Sequence, residues 1–272
     1  MICRKLKAFV GSFMKEKELE NNNILNAHTV LSTRPAEKFT SEKEHYHYNL
    51  INIPLTKLKR RKIDSSHIAL IKKFNPDVII ITSSYGAIIF IEDIWKRLHR
   101  KDLNFIAIGA STAEPLIKEG INVYIPENKS TNGIIELLKE RIPRESRIII
   151  MRSDKGNPIL NRFLEMDKRD FVEIVLYNIL EDFENRETLL NFLRSKDLSA
   201  IILTSSMEAN IFFKILKDEK IKIHKETVIY AIGEPTKEKI ISSGFSGKIL
   251  TGKSNFESIL NEIEKTNSGE WI

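Results

Sequence analysis

The chain has 272 residues, of which 42% are hydrophobic, and it carries a formal net charge of +6 with a sequence pI near 9.2. This length predicts about two domains, and the hydrophobic share is enough for a buried core. The apolar runs fall far short of the about 20 residues that cross a bilayer, so we expect no membrane-spanning segment. The single cysteine, Cys3, cannot form an internal disulfide, which favours a cytoplasmic protein over a secreted disulfide-rich one.

Residues 1–23 are basic and then highly charged. Their apolar stretch, Ala8–Met14, is at the lower limit of a signal-peptide core, and no small-residue cleavage site follows it. We therefore expect a short helix or a frayed extension that lies outside the fold.

Short β-branched runs alternate with amphipathic helical patterns along the remaining sequence. The predicted strands are 29–32, 78–82, 105–108, 122–125, 147–151, 173–177, 200–204, 228–232 and 248–250. The predicted helices are 84–100, 112–119, 131–141, 158–168, 186–194, 206–218, 236–242 and 256–265. Nearly continuous apolar strands between amphipathic helices predict parallel sheets that are covered on both faces.

The basic residues are scattered, apart from a cluster at Lys57–Lys62. No helix-turn-helix, zinc finger or RNA-binding signature accompanies this cluster, so we interpret it as a solvated loop. Nucleic-acid binding through the cluster is an alternative, and it predicts a strong dependence on salt. A small acidic ligand fits the basic balance equally well.

The sequence also contains an internal repeat. Asp77–Ser84 recurs as Ser199–Ser206, and Ala107–Gly109 recurs as Ala231–Gly233. The offsets are nearly constant, at 122 and 124 residues, because position 82 corresponds to 204 and position 107 to 231. A period of this length predicts a duplicated α/β domain and not a solenoid.

One strand complicates the simple tandem arrangement. Ile148–Ser153, before the second copy, resembles Val30–Pro35, before the first. The sequence alone does not decide which copy each of these two strands joins.

Hydroxyl side chains mark the strand-to-helix junctions of both copies. One interpretation is that they only cap helices. Capping-box spacing relates Ser111 to Glu114, Ser205 to Glu208 and Ser254 to Glu257. The other interpretation adds location, because ligands of an open parallel sheet bind beyond the carboxyl ends of its strands. Helix N-termini there present N–H groups and about half a positive charge, so two such rims facing each other would form a cleft for anions.

Several common site signatures are missing from the sequence. The eleven glycines form no G-x-G-x-x-G motif and no Walker A loop. His45 and His47 have no third ligand nearby, and no G-x-S-x-G motif is present. We therefore expect no metal and no cofactor, and a site that works by shape and hydrogen bonding.

A series of short motifs runs in order along the chain: Val30–Pro35, Ile80–Ser84, Ile106–Glu114 with Gly120, Pro126–Gly133, Val175–Tyr177, Ile202–Ser206 and Ala231–Thr236. This series, from about residue 28 to 265, resembles the uroporphyrinogen-III synthase family. The resemblance implies two flavodoxin-like parallel-sheet α/β domains joined by a two-stranded linker. One domain would be discontinuous, 24–49 plus 178–267, because the N-terminal strand would belong with the C-terminal half. The other, 50–177, would be inserted within it.

The resemblance also implies an activity. The substrate would be hydroxymethylbilane, a linear tetrapyrrole with eight carboxylates, cyclised to uroporphyrinogen III with inversion of ring D through azafulvene and spiro intermediates. Such a cytoplasmic lyase of haem biosynthesis steers a reactive substrate by binding and orientation, without a cofactor. It would act as a monomer on this small molecule, with no nucleic-acid or membrane partner. A non-catalytic two-domain binder of an anionic small molecule is the alternative.

The resemblance finally implies site residues. Tyr177 matches a family tyrosine whose phenol would protonate the departing hydroxyl, although it could instead be an aromatic side chain packed at a hinge. Arg34 and Arg152 would pair with substrate carboxylates, or be surface arginines. Glu234 departs from the family's Gly-Pro-Thr-Thr pattern and would place a carboxylate near an anion site. The cleft would be lined by Thr82, Ser83, Ser84, Ser111, Thr112, Ser205, Ser206 and Thr236.

Overall fold

A computed structural model describes residues 28–39, 46–100, 102–195, 197–252 and 255–267. These residues form two compact units. Unit 1 comprises the described residues up to Thr56 together with those from Glu181 onward, and unit 2 is Lys57–Leu180. Among the described helices, none combines the length and the hydropathy needed to cross a membrane. The predictions for residues 1–23 lie outside the described ranges.

The strands are β1 (His28–Ser32), β2 (Tyr48–Asn52), β3 (Thr56–Arg60), β4 (Val78–Ile81), β5 (Asn104–Ala107), β6 (Val123–Tyr124), β7 (Ile148–Ser153), β8 (Phe171–Glu181), β9 (Ala200–Leu203), β10 (Val228–Ala231) and β11 (Ile249–Thr251). The α-helices are α1 (Ser65–Phe74), α2 (Ser84–Phe90), α3 (Ala110–Lys118), α4 (Thr131–Arg141), α5 (Ile159–Met166), α6 (Arg186–Ser195), α7 (Ser206–Asp218), α8 (Glu234–Ser242) and α9 (Phe256–Asn267). A 3-10 turn at Ala36–Lys38 follows β1, and a π-helical turn at Ile91–Trp95 and a last turn at Lys96–Leu98 continue α2.

The sheet of unit 1 has the order β11-β10-β9-β1-β2, and its strands are parallel. Counted along the chain, this is the 2-1-3-4-5 order of doubly wound flavodoxin-like sheets. β1 pairs with β9 in a register that places Val30 beside Ala200. The first described strand therefore belongs to the sheet that contains the second copy of the repeat.

The sheet of unit 2 has the order β3-β8-β7-β4-β5-β6, and its strands from β8 to β6 are parallel. β7 pairs with β4 in a register that places Ile148 beside Val78. If the count begins at β7, these five strands repeat the 2-1-3-4-5 order. β7 thus occupies in unit 2 the position that β1 occupies in unit 1, which accounts for the similarity of their sequences.

Alternate residues of each central strand pack on opposite faces of its sheet. In β4, Ile79 and Ile81 join one buried cluster, whereas Val78 and Ile80 join another. β9 divides its residues between the two clusters of unit 1 in the same way. Full burial of each such side chain contributes about 1.5–3 kcal/mol, so covering both faces favours the continuous apolar runs seen in the sequence.

The interpretation of Lys57–Lys62 as a solvated loop is wrong, because β3 is an edge strand of unit 2. The backbone of Arg61 donates to Leu176 O at 2.9 Å, and Asp182 N donates to Leu55 O at 2.9 Å. Residue numbers therefore rise on one strand as they fall on the other, and the pairing is antiparallel. Leu58 is buried and Lys59 is exposed, and exposed lysines on an edge strand disfavour pairing with another chain.

Helix starts also differ from the sequence prediction. α1 was not predicted, yet Asp64 caps it by accepting hydrogen bonds from Ser66 N and His67 N. Gly109, and not Ser111, is the N-cap of α3, and Glu114 pairs with Lys118 instead of forming a capping box. The predicted box at Ser254 lies outside the described residues.

We expect Gly244→Ala to destabilise the protein by about 1 kcal/mol, because Gly244 ends α8 with φ +91°, a conformation in which a Cβ is strained. No atom lies within 4 Å of the added Cβ, so the penalty comes from the backbone alone. Gly244→Asn should lose less, since asparagine tolerates the left-handed conformation. Urea unfolding measures both variants, and equal midpoints for them would contradict this account.

Candidate functional site

Each unit has one point at which the strand order reverses, between β1 and β9 in unit 1 and between β7 and β4 in unit 2. Ligands of open parallel sheets bind outside the carboxyl ends of the strands at such points. We define the unit 1 rim as residues 33–35, 204–206 and 232–236, and the unit 2 rim as 82–84, 108–112 and 153–155. These segments lie at the carboxyl ends of β1, β9 and β10, and of β4, β5 and β7, respectively.

The phenol of Tyr177, on β8, contacts the unit 2 rim. Its hydroxyl donates to Ser83 Oγ at 2.9 Å, and the side chain is 2% exposed. Ser83 is the N-cap of α2, and its Oγ also accepts from Gly86 N at 3.0 Å. A Cβ at Gly86 would lie 2.9 Å from Ser83 Oγ, so a side chain there would require the cap hydroxyl to shift. The chain thereby joins a buried phenol to the first turn of a helix.

Other predicted residues of the unit 2 rim also lie at helix starts. Thr82 and Ser84 flank the Ser83 cap and are half-buried, while Ser111 is exposed. Thr112 is buried, and its N–H donates to Gly109 O at 3.1 Å.

Sequence reasoning did not identify Lys129 as a member of this site. Its methylene groups lie 3.7–3.8 Å from the position that a Cβ on Gly109 would occupy. A lysine stem thus packs beside the start of α3. The repeated Lys-Ser pair, at Lys129-Ser130 and Lys253-Ser254, was the available signal, although the second pair lies outside the described residues.

The unit 1 rim has a matching framework. Ser205 is the N-cap of α7, and its Oγ accepts from Glu208 N at 3.1 Å. Ser206 Oγ donates to Pro235 O at 3.0 Å and so connects the segments after β9 and β10. Thr236 is buried, and its N–H donates to Gly233 O at 3.1 Å, as Thr112 does to Gly109.

Glu234 does not leave an unbalanced charge at this rim. Its Oε1 lies 3.4 Å from Lys237 Nζ, one turn further along α8. A carboxylate in the first turn of a helix is also stabilised by the helix dipole. The concern that Glu234 repels an anion is therefore reduced by the neighbouring ammonium group.

A buried carboxyl group, Glu208, joins the parts of the unit 1 rim. Its Oε2 accepts from Thr33 Oγ1 and from Thr204 N, both at 2.9 Å. Its Oε1 accepts from Thr204 Oγ1 at 2.8 Å and from Ser205 Oγ at 3.0 Å. Burial raises the pKa of Glu208, and these hydrogen bonds oppose the rise. The spacing of Ser205 and Glu208 predicted a capping box, but the carboxylate bonds Thr204 N, one residue before the cap.

Arg34 follows β1 and is half-buried at the unit 1 rim. Its Nε donates to Lys38 O at 2.6 Å, and its guanidinium lies 4.7 Å from the centroid of the Phe256 ring. Burial lowers the pKa of Arg34, and the charge of Glu208 opposes this. Arg34 is thus a positioned cation and not a mobile surface arginine.

Arg152 has a different role from either sequence interpretation. Its side chain is buried, and Nε and Nη2 bind the Glu173 carboxylate at 3.0 and 2.8 Å. Nη1 donates to Asn157 O at 2.6 Å, and Nη2 also donates to Asn161 Oδ1. Because these donors are used within unit 2, we leave Arg152 out of the candidate site. Burial raises the pKa of Glu173, but hydrogen bonds from Arg152 and Asn161 outweigh it, and the net direction is downward.

The histidine pair considered for a metal does not form a site in the described part of the chain. His45 lies outside that part, and His47 Nδ1 lies 2.6 Å from Glu264 Oε1. Within the described ranges, no group of three or more His, Cys, Asp or Glu side chains is arranged to hold a metal ion.

Comparison with known proteins gives consistent matches. The family model described as uroporphyrinogen-III synthase HemD matches residues 37–261. A curated protein of Archaeoglobus fulgidus, which bears the name uroporphyrinogen-III synthase as a provisional assignment, is 29% identical over 175 residues, covering 64% of this chain and 73% of that protein.

Solved structures show the same fold. A substituted uroporphyrinogen III synthase from the extremely thermophilic bacterium Thermus thermophilus matches with a TM-score of 0.60 at 15% identity, over 90% of this chain and 100% of that one. The uroporphyrinogen-III synthetase of Helicobacter pylori matches with a TM-score of 0.58 at 16% identity, over 87% and 98% of the two chains. The expectation of a two-domain parallel-sheet α/β fold is confirmed.

We expect Arg152→Met to destabilise the protein by about 2–3 kcal/mol, because it leaves the Glu173 carboxylate without its ion-pair partner in a partly buried position. Arg162→Met is the matched control, since Arg162 is exposed on α5, and it should change stability by less than about 0.5 kcal/mol. Chemical unfolding measures both. If both variants unfolded at the same denaturant concentration, the buried ion pair would not have the structural role described here.

Proposed function

The chain belongs to the uroporphyrinogen-III synthase family, and from this premise we propose that it cyclises hydroxymethylbilane to uroporphyrinogen III with inversion of ring D. Members of this family are lyases of haem biosynthesis. The observation that carries the proposal is the 2.9 Å hydrogen bond between the buried Tyr177 phenol and the N-cap serine of α2. This contact supports the proposal because a phenol beside the carboxyl end of a parallel strand is close to where substrates of such sheets bind.

Recognition of the substrate rests on peptide N–H groups. The first N–H groups of an α-helix have no intrahelical acceptor and carry the positive end of the helix dipole. Ser84 and Ser206 are the first residues of α2 and α7, so each rim presents such groups. In this proposal they bind carboxylates of the tetrapyrrole, and Arg34 and Lys129 add positive charge.

The proton required for departure of the substrate hydroxyl comes from Tyr177. Because the phenol is 2% exposed, it reaches the substrate by way of Ser83 Oγ, which is half-buried. The serine proton passes to the departing hydroxyl, water leaves, and the phenol proton replaces it on Ser83. The azafulvene then closes through the spiro intermediate, and the proton lost from ring D in the final step restores the phenol.

The main contribution of the protein is to orient the substrate, since the azafulvene reacts without a catalyst. The carboxylates bound at the rims hold the linear tetrapyrrole in the geometry that leads to ring inversion. Such orientation lowers the activation barrier without a covalent bond to the protein. The alternative, a non-catalytic binder of an anionic molecule, uses the same N–H groups. In that alternative Tyr177 has only a packing role, in the buried cluster where its ring lies 5.0 Å from that of Tyr85.

Purified protein mixed with hydroxymethylbilane should yield mainly the type III isomer, after oxidation to porphyrins and chromatographic separation. Substrate without protein is the control, and it should yield the symmetric type I isomer. Dominance of type I at every protein concentration would contradict the proposed activity.

Tyr177→Phe should lower the turnover rate about 10²–10⁴-fold, which is the usual contribution of a positioned acid. The lost hydrogen bond should cost only about 0.5–1.5 kcal/mol of stability, so the variant should remain folded. Tyr124→Phe is the control, since Tyr124 lies in the same unit with 40% of its surface exposed. A wild-type rate in Tyr177→Phe would show that the phenol is not the acid.

A further inference from the structure

We propose that Glu208 is a positioning residue of the unit 1 rim, which ties the ends of β1 and β9 together and so fixes the direction of the N–H groups at the start of α7. This inference rests on the proposed function, because these N–H groups are the ones assigned to a substrate carboxylate. Glu208 is 2% exposed, so it acts through Thr204 and Ser205 and does not touch the substrate.

The contacts of Glu208 cross the point at which the strand order reverses. Its Oε2 accepts from Thr33 Oγ1, which follows β1, and from Thr204 N, which follows β9, at the same distance of 2.9 Å. Thr33 N also donates to Ile202 O at 3.3 Å, so the backbones of the two segments are already neighbours. The carboxylate therefore restrains the segment after β9 relative to the end of β1.

The other copy of the repeat provides an internal comparison. Ser83 and Gly86 have the same three-residue spacing as Ser205 and Glu208, and both serines cap their helices. The first turn of α2 has no carboxylate, because Gly86 occupies the position equivalent to Glu208. There the Tyr177 hydroxyl donates to the cap serine Ser83 instead. Capping alone thus does not account for Glu208. What the carboxylate adds in unit 1 is the bond to Thr33 across the two strands.

The hydrogen-bonding pattern predicts which substitutions preserve the role. Thr204 N–H can only donate, so the residue at 208 must present an acceptor oxygen to it. Glutamine keeps one such oxygen for Thr204 N and Thr33 Oγ1, which share Oε2 in the wild type. Its NH2 group then replaces Oε1 and can donate to the hydroxyls of Thr204 and Ser205, which can rotate to accept. Alanine removes the whole connection. Thr33→Val removes the contact of Glu208 with the end of β1, together with a 3.5 Å hydrogen bond from Thr33 Oγ1 to Ile202 O, and leaves the rest of the cap.

The test compares KM and kcat for these variants with hydroxymethylbilane as substrate. Glu208→Ala should raise KM about tenfold and change kcat less than about threefold, because the affected N–H groups bind the substrate before and during reaction. Glu208→Gln should keep KM within about threefold of wild type, and Thr33→Val should raise it about threefold. Ile263→Val is the control, since it alters the core of unit 1 at a buried position of α9 and should leave KM unchanged.

Amide hydrogen exchange gives a second readout that does not depend on activity. The Thr204 amide should exchange faster in Glu208→Ala than in wild type, and near the wild-type rate in Glu208→Gln. An unchanged KM in Glu208→Ala, or a Glu208→Gln variant as impaired as Glu208→Ala, would overturn the proposal. If wild type itself gave only the type I isomer, the proposed function would fail, and exchange at Thr204 would still decide whether Glu208 positions the rim.

Discussion

Parallel strands end at one edge of a sheet, and the helices that follow them begin at that same edge. This constraint gathers in one place the N–H groups that no helical bond satisfies. In unit 1 the starts of α7 and α8 meet there, and in unit 2 those of α2 and α3. The cap serines, the buried threonines and the proposed acid all lie at these edges because the topology brings them there.

The two copies satisfy this constraint with different chemistry. Unit 2 joins its cap serine to a phenol on β8, while unit 1 joins its own to a carboxylate on α7. A phenol that loses a proton can regain it during turnover, whereas the enclosed Glu208 carboxylate mainly restrains its neighbours. In the proposed function, the two copies supply two anion-binding edges, and divergence between them assigns proton transfer to one and positioning to the other.

Features that depend on local pattern were predictable from the sequence, and features that depend on distant partners were not. The apolar runs of β4 and β9 revealed both central strands, and α4 and α7 have their predicted bounds. β3 was missed because its basic side chains resemble a loop until β8 is known to lie beside it. Likewise, Arg152 becomes a buried ion pair only through Glu173 on the neighbouring strand, and the contact of Glu208 with Thr33 spans 175 residues.

The central claim is that peptide N–H groups at the rims bind the carboxylates of the substrate. Amide chemical shifts during titration with uroporphyrin III, a stable octacarboxylate, test it most directly. The account predicts saturable shifts at Ser84 and Ser206 that weaken as salt is added. Shifts confined to the opposite ends of the strands, near Leu198 and Thr227, would contradict it.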